Sequence, residues 1–366
     1  FTQNQAKKVR FSMLAGEAAM KISAFADAQS HFVQALDSLS VTSATRGERS
    51  TVLTRLGDVA VTLGRYDTGS AYLDEAVALA REINDSKPLA KALQTSAWIH
   101  LRQGAMEQAQ ATLEEALSIA SIGGHHEETM LASYLTSVLH VIKGQYADAQ
   151  RSANAALPLA IAMADRAHEA DIRNVLGAIE EGLGNPLAAY TQLNTAYTIA
   201  KEIGYRYLMA NALGNMARTA YFQGKHEQSL RQAEEVLQLF REMGSIYPEA
   251  IMLYFIGFNK IALDQASAAW KDLVASLKIS RQIGATPMIL ITLTGVVRLY
   301  LKIGQPEQAA ELLSFVIHHP DSKQDVDVMR DAEPLREAME RQTEAWERGK
   351  TLLLESVVAD LIARHE

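Results

Sequence analysis

The chain has 366 residues, of which 48% are hydrophobic and 21% charged, with a formal net charge of -8 and no cysteine. This composition favours a folded protein over a disordered one, and it excludes disulfides, thiolate zinc sites and cysteine nucleophiles. The acidic balance, with no long run of Lys or Arg, argues against direct nucleic-acid binding, and no stretch reaches the ~18 apolar residues of a membrane span.

The beginning of the chain carries a helical pattern and no secretion signal. Because Phe1 already lies inside this pattern, we interpret the chain as part of a longer polypeptide, and we expect it in the cytoplasm. A first helix-turn-helix unit fits residues 5–42, with apolar positions at Phe25, Ala28, Phe32, Ala35 and Leu36.

From residue 64 onward, one turn position recurs every 40 residues. It is occupied by Gly64, Gly104, Gly144, Gly184, Gly224, Asp264 and Gly304. A fixed period of this length predicts a solenoid, in which each unit buries its apolar face against its neighbours. Glycine suits the reversal between two helices because it adopts positive φ without a Cβ clash, and aspartate tolerates that region better than most residues.

Within each unit, apolar residues lie three, four and seven positions apart, which is typical of amphipathic helices. Five positions after each turn stands a small residue that lets two helices approach closely: Gly69, Ala109, Ala149, Ala189, Ser229, Ala269 and Ala309. Second helices tend to end in Ile or Met followed by Gly, as at Ile203-Gly204. These spacings predict helices of roughly 16 to 18 residues.

After Pro320 we expect the 40-residue period to be lost. Residues 321–342 indicate one charged amphipathic helix interrupted near Pro334, and residues 352–363 a shorter apolar helix. Since the end of a solenoid needs a polar outer face, we assign residues 320–366 to a C-terminal helical cap. Docking of this segment to a neighbouring domain or subunit is the alternative.

The residue order Leu56-Gly57, Gly64, Tyr66 and Leu73 resembles the tetratricopeptide repeat in its 40-residue form, and it recurs over residues 47–319. The resemblance implies an all-α fold: a right-handed α-solenoid superhelix of about eight helix-turn-helix repeats over residues 1–319, with its cap at 320–366. Residues 11–36, 315–320 and 346–361 look like the two ends of the sensor region in large bacterial signal-transduction ATPases and transcription regulators. A nucleotide-binding domain in the parent chain would follow from that resemblance.

In a two-helix solenoid, the first helix of each unit lines the concave face. Its candidate binding residues are Lys91, Trp98, Tyr134, Asp171, Asn174, Asn211, Arg218, Tyr254, Phe258 and Arg298. Aromatic residues and arginine are enriched at binding surfaces, although each aromatic side chain is as readily explained by core packing, and each charge by solvation. Since Arg218 and Arg298 share a repeat column, an acidic or carboxylate-bearing peptide is one candidate ligand.

We therefore predict a non-catalytic recognition module, the sensor arm of a signalling ATPase, which binds a peptide, protein or small inducer in its concave groove. A constitutive scaffold for homo- or hetero-oligomers is the alternative. No nucleophile elbow or phosphate-binding glycine loop occurs. Adjacent histidines at His125-His126 and His318-His319 diverge on a helix and have no third ligand, so we predict neither metal nor cofactor.

Overall fold

The computed structural model of the protein describes residues 3–39 and 45–364, and its regular structure over these residues is helical. Two parts of the predicted domains lie outside the described residues. These are the end of the first repeat near residue 42, and the terminal residues 1, 2, 365 and 366. Eight antiparallel helix pairs follow one another along the chain and form a right-handed superhelix. The predicted all-α solenoid of about eight repeats is confirmed.

Each pair, or repeat, contributes a first helix and a second helix. The first helices are α1 (Gln3–Lys21), α3 (Arg46–Thr62), α5 (Ser86–Gln103), α7 (His126–Ile142), α9 (Arg166–Gly182), α11 (Arg206–Phe222), α13 (Ile246–Ala262) and α15 (Thr286–Lys302). The second helices are α2 (Phe25–Asp37), α4 (Tyr66–Glu82), α6 (Met106–Ile122), α8 (Tyr146–Ala162), α10 (Pro186–Glu202), α12 (His226–Met243), α14 (Ala266–Gln282) and α16 (Pro306–His318). From α3 to α15, successive first helices pack on one another and make the inner layer.

The turn between the two helices of a repeat has the backbone conformation that its glycine column predicts. All seven positions have positive φ, including Asp264 at 60°. Inside the first helices, glycine also permits close packing. A Cβ on Gly57 would lie 2.8 Å from Leu73, and one on Gly177 would lie 2.6 Å from Leu193. Glycines that recur with the sequence period thus permit both the turn between the two helices and the close packing of these helices within a repeat.

The superhelix is narrow enough for its second turn to stack on its first. The turn of each of the first four repeats contacts the beginning of an inner helix five repeats further along. These contacts join Ser23 to Tyr207, Gly64 to Ile246, Gly104 to Pro287 and Gly144 to Val326. We call the concave face, which both stacked superhelical turns line, the inner channel.

The C-terminal segment keeps the 40-residue register. After a short 3-10 helix at Pro320–Gln324, α17 (Val326–Glu340) begins 40 residues after the start of α15 and contacts α7, α15 and α16. The expected interruption near Pro334 is wrong, since this proline lies inside the helix. Burial of Val328 and Ala332 compensates for the hydrogen bond that proline cannot donate. Two further helices, α18 (Thr343–Gly349) and α19 (Leu354–Ala363), pack on α16 and α14 respectively.

Candidate functional site

The ten predicted binding residues all lie on inner helices, and the structure divides them into two groups. The first group lies on α5, α7, α9 and α11 and consists of Lys91, Trp98, Tyr134, Asp171, Asn174 and Asn211. The second group lies on α11, α13 and α15, near α17, and consists of Arg218, Tyr254, Phe258 and Arg298. We call these regions the N-terminal and C-terminal halves of the inner channel.

An arginine held between two aromatic rings dominates the N-terminal half. The Arg102 guanidinium carbon lies 4.3 Å from the centre of the Trp98 ring on its own helix, and 4.0 Å from the centre of the Tyr247 ring on α13. All three side chains are half-buried. Because α5 and α13 belong to different superhelical turns, this stack joins the two turns inside the channel.

Two tyrosines at the beginning of α11 belong to the same half of the inner channel. Tyr207 packs edge-on against Phe25 and Phe240, with ring centres 5.9 and 5.8 Å away, and its hydroxyl bonds Asn211. Tyr205 lies 6.4 Å from Tyr207, ring centre to ring centre. This packing fixes the tyrosine rings and leaves them half-buried rather than sealed in the core.

Asp171 places an ionisable carboxyl close to these rings. Burial raises the pKa of Asp171 to about 7, His168 opposes this change and Asp165 adds to it. Burial and Asp171 together raise the pKa of Tyr134, whereas Arg102 lowers it. Tyr134 therefore lies within electrostatic reach of both Asp171 and Arg102, and the N-terminal half combines a cation, a protonatable carboxyl and several aromatic rings.

Two predicted residues of this half are held by neighbouring inner helices. Lys91 Nζ lies 3.3 Å from Glu127 Oε1, and Asn174 accepts a hydrogen bond of 2.9 Å from Asn215. Such contacts between adjacent repeats fix the wall of the channel.

In the C-terminal half, the two predicted arginines already have carboxylate partners within the chain. Arg218 lies 3.4 Å from Glu181 and 3.7 Å from Asp327, and Arg298 lies 3.4 Å from Asp331. Two of these acids belong to α17. The repeat column on which an acidic ligand was predicted is thus neutralised by the protein itself.

The aromatic residues of the C-terminal half differ in exposure. Tyr254 is half-buried, whereas Phe258 is only 3% exposed and packs 4.9 Å from the Tyr254 ring. Phe258 therefore packs in the core, which was the alternative explanation for the predicted aromatic residues. A cleft of ≈ 410 Å³ opens beside it, lined by Tyr221, Phe258, Ile261, Ala262, Arg298, Leu301, Lys302 and Leu335.

Three residues of the channel were missed by the sequence prediction, although helical spacing could have found them. Arg102 lies four residues after Trp98 on the same face, and Tyr207 lies four residues before Asn211. Tyr247 lies seven residues before Tyr254. Extending each predicted column by one or two helical turns would have included them.

Over residues 3–39 and 45–364, no group of three or more His, Cys, Asp or Glu side chains is arranged to hold a metal ion. No helix in this part of the chain combines the length and hydrophobicity that crossing a bilayer requires.

Comparison with known proteins agrees with this architecture. The tetratricopeptide repeat family model matches residues 48–122 and 168–242, so the chain contains a tetratricopeptide repeat region as predicted. This fold is generally a non-catalytic scaffold for protein interactions. No curated protein matches the sequence.

Many solved structures are similar to the chain, and three of them are compared with it by coverage and similarity. A Rap protein complexed with competence and sporulation factor covers 100% of both chains at 12% identity, with a TM-score of 0.69. Aspartyl phosphate phosphatase F from Bacillus subtilis covers 97% of this chain and 96% of its own at 14% identity, with a TM-score of 0.52. A signal transduction ATPase with numerous domains and a tetratricopeptide repeat sensor, from Pyrococcus horikoshii, has a TM-score of 0.49 at 14% identity. The match spans 100% of this chain and 56% of that one. At these identities the first two matches show the fold alone.

Proposed function

We propose that this tetratricopeptide repeat region is a recognition module that binds a peptide, protein or small inducer in the N-terminal half of its inner channel. The observation that carries the proposal is the convergence of half-buried aromatic and charged side chains there, with Trp98, Arg102 and Tyr247 in contact across two superhelical turns. Aromatic and arginine side chains provide most of the binding energy in many interfaces. The Rap protein complex is a precedent for a ligand on this architecture.

We also propose that the module is the cytoplasmic sensor arm of a bacterial signalling ATPase. The support is the resemblance of residues 11–36 and 346–361 to the ends of such sensor regions. A ligand in the channel would contact both superhelical turns, so it would favour one spacing of the turns over another. A difference in affinity between two such states is what a switch requires.

The experiment that tests recognition combines ligand capture with a map of where the ligand lies. The full chain is incubated with lysate of its source, and bound molecules are identified by native mass spectrometry. Hydrogen exchange with the identified ligand is then expected to slow in α5, α7, α11 and α13. The variant Trp98→Ala/Tyr134→Ala should lose the ligand, whereas Tyr190→Ala, an exposed aromatic on α10, should retain it.

A constitutive scaffold is a second candidate function, and the uncovered edge of the second superhelical turn favours it. The turns of the fifth, sixth and eighth repeats lie on this edge without a covering neighbour, and they expose Leu183, Leu187, Phe222 and Ile303. Exposed apolar clusters mark interaction surfaces. In the same exchange experiment, protection of this edge by a bound protein, with the channel unchanged, would favour the scaffold and contradict recognition in the channel.

A further inference from the structure

Arg102 differs from the other half-buried arginines of the inner helices in its partners. Each of those six arginines lies within ion-pair distance of a carboxylate: Arg46 with Glu82, Arg49 with Glu75, Arg55 with Asp58, Arg173 with Glu169, Arg218 with Glu181, and Arg298 with Asp331. Among the residues that the structure describes, no carboxylate forms an ion pair with Arg102. The ionisable groups that raise its pKa against the effect of burial are the hydroxyls of Tyr247, Tyr207 and Tyr66.

The stacking of Arg102 determines which of its atoms remain available. Trp98 and Tyr247 lie close to the flat guanidinium, at 4.3 and 4.0 Å from its carbon. A guanidinium carries five N–H donors around its edge; one of those of Arg102 bonds the hydroxyl of Tyr247, and ring stacking over the face does not use the others. A planar carboxylate accepts two such donors side by side.

The charge of Arg102 is stabilised without a carboxylate. Burial disfavours the charged form, and the surrounding tyrosines outweigh that effect, so the pKa of Arg102 is raised. An anion placed at the guanidinium edge would supply the opposite charge that the other half-buried arginines of the inner helices obtain from the chain.

We infer that the edge of the Arg102 guanidinium anchors a carboxylate group of the ligand bound in the inner channel, with Trp98 and Tyr247 contacting the apolar body beside it. This inference rests on the proposed recognition function and adds the chemistry of the ligand. A carboxylate is favoured over a phosphate because Asp171 lies close to the same tyrosine, Tyr134, that Arg102 affects. A second negative charge on the ligand would increase repulsion from that carboxyl.

The test uses the full chain and three small aromatic probes that share one body. Benzoate carries a carboxylate, benzamide is its neutral analogue of the same shape, and phenyl phosphate carries the other common anion. Binding is measured by isothermal titration calorimetry at constant ionic strength and pH 8. We expect benzoate to bind about tenfold or more tightly than benzamide, and more tightly than phenyl phosphate.

Variants then locate the effect. Arg102→Gln is expected to reduce benzoate affinity about tenfold, to the level of benzamide, whose own affinity should not change. Arg231→Gln removes an exposed arginine from α12 and is the matched control, which should bind benzoate as the wild type does. Arg102→Lys keeps the charge without the planar fork, so it should give an intermediate affinity. If Arg102→Gln does not unfold cooperatively in a thermal melt, the lysine variant carries the comparison.

Several results would overturn the carboxylate anchor. These are equal affinities for benzoate and benzamide, no measurable binding of benzoate, tighter binding of phenyl phosphate, or full benzoate binding by Arg102→Gln. The recognition function is judged separately by the ligand captured from lysate. A captured ligand that protects the channel while benzoate shows no preference would leave that function intact and remove only the anchor.

Discussion

At the scale of single residues, the carboxyl of Asp171 makes the channel sensitive to pH. Burial raises its pKa to about 7, with Asp165 adding to the change and His168 opposing it. A carboxyl whose pKa is higher in the folded than in the unfolded chain, where it is near ~3.9, binds its proton more tightly when folded. Its contribution to stability is therefore present at low pH and is lost as the pH rises from about 4 to about 7.

Asp171→Asn removes this titration and should stabilise the protein more at high pH than at low pH. We expect the advantage of the variant in the free energy of unfolding to grow by about 1–3 kcal/mol between pH 5 and pH 8. Thermal melts of both proteins over this range measure it. Asp67→Asn, at an exposed position on α4, is the control and should parallel the wild type. Parallel curves for Asp171→Asn itself would show that its carboxyl is solvated.

Sequence reasoning proposed binding residues on six inner helices, α5 to α15, but could not identify their contacts. The helical period predicts that Trp98 and Tyr134 face inward, and both side chains are half-buried on inner helices. The stacking of Arg102 on Tyr247 depends on how many repeats complete one superhelical turn. That number arises from small rotations between neighbouring repeats, which residue types alone do not reveal. For the same reason, Phe258 could not be distinguished as buried.

At the scale of helices, the glycines inside first helices determine how closely a repeat packs. Gly177 and Gly214 lie on neighbouring inner helices but face different surroundings. A Cβ on Gly177 would lie 2.6 Å from Leu193, whereas one on Gly214 would lie 3.4 Å from the flexible end of Met252. The first distance requires the leucine to move, and the second requires only a small adjustment.

Gly177→Ala should therefore overpack its repeat and lower the free energy of unfolding by about 1–3 kcal/mol. Gly214→Ala should leave it unchanged or raise it by up to about 1 kcal/mol, since alanine favours a helix over glycine. Because repeat arrays open locally, hydrogen exchange in α9 and α10 is the sharper measurement. Equal exchange in the two variants would mean that Leu193 relaxes without cost.

The helices were predictable because the repeat signal is strong, and the errors lie where it weakens. From α3 to α15 the lengths fall in the predicted range. At Pro334 the local rule for proline predicted an interruption, but packing of α17 against the array outweighs the lost hydrogen bond. The short α18 was not predicted, since seven residues carry too little periodicity to distinguish a helix from a turn.

At the scale of the whole molecule, the stacking of one superhelical turn on the other distinguishes this protein from an open solenoid. An open array is stabilised by contacts between neighbouring repeats alone. Here Gly64 also contacts Ile246 and Ile283, which follow it by more than 180 residues. Cross-turn contacts of this kind give the channel two walls, and they provide a route by which a ligand could change the spacing of the turns.

Two turn glycines allow the energy of this stacking to be measured. Gly64 and Gly184 both have positive φ, 67° and 80°, so alanine causes comparable backbone strain at each. A Cβ at Gly64 would lie 2.8 Å from Ile283, while a Cβ at Gly184 would meet nothing within 4 Å. Any excess destabilisation of Gly64→Ala over Gly184→Ala therefore reports the contact between superhelical turns.

We expect Gly64→Ala to melt at a lower temperature than Gly184→Ala, by an excess of about 1–3 kcal/mol. Hydrogen exchange should increase in α3 and α4 and also in α13 and α14, which are distant in sequence but stacked in the fold. Small-angle scattering should show a larger radius of gyration for Gly64→Ala only. If the two variants melt alike and exchange increases only in the mutated repeat, the superhelical turns are not energetically coupled. A ligand held between them would then have no stacked contact to alter, and a sensor acting through the spacing of the turns would be excluded.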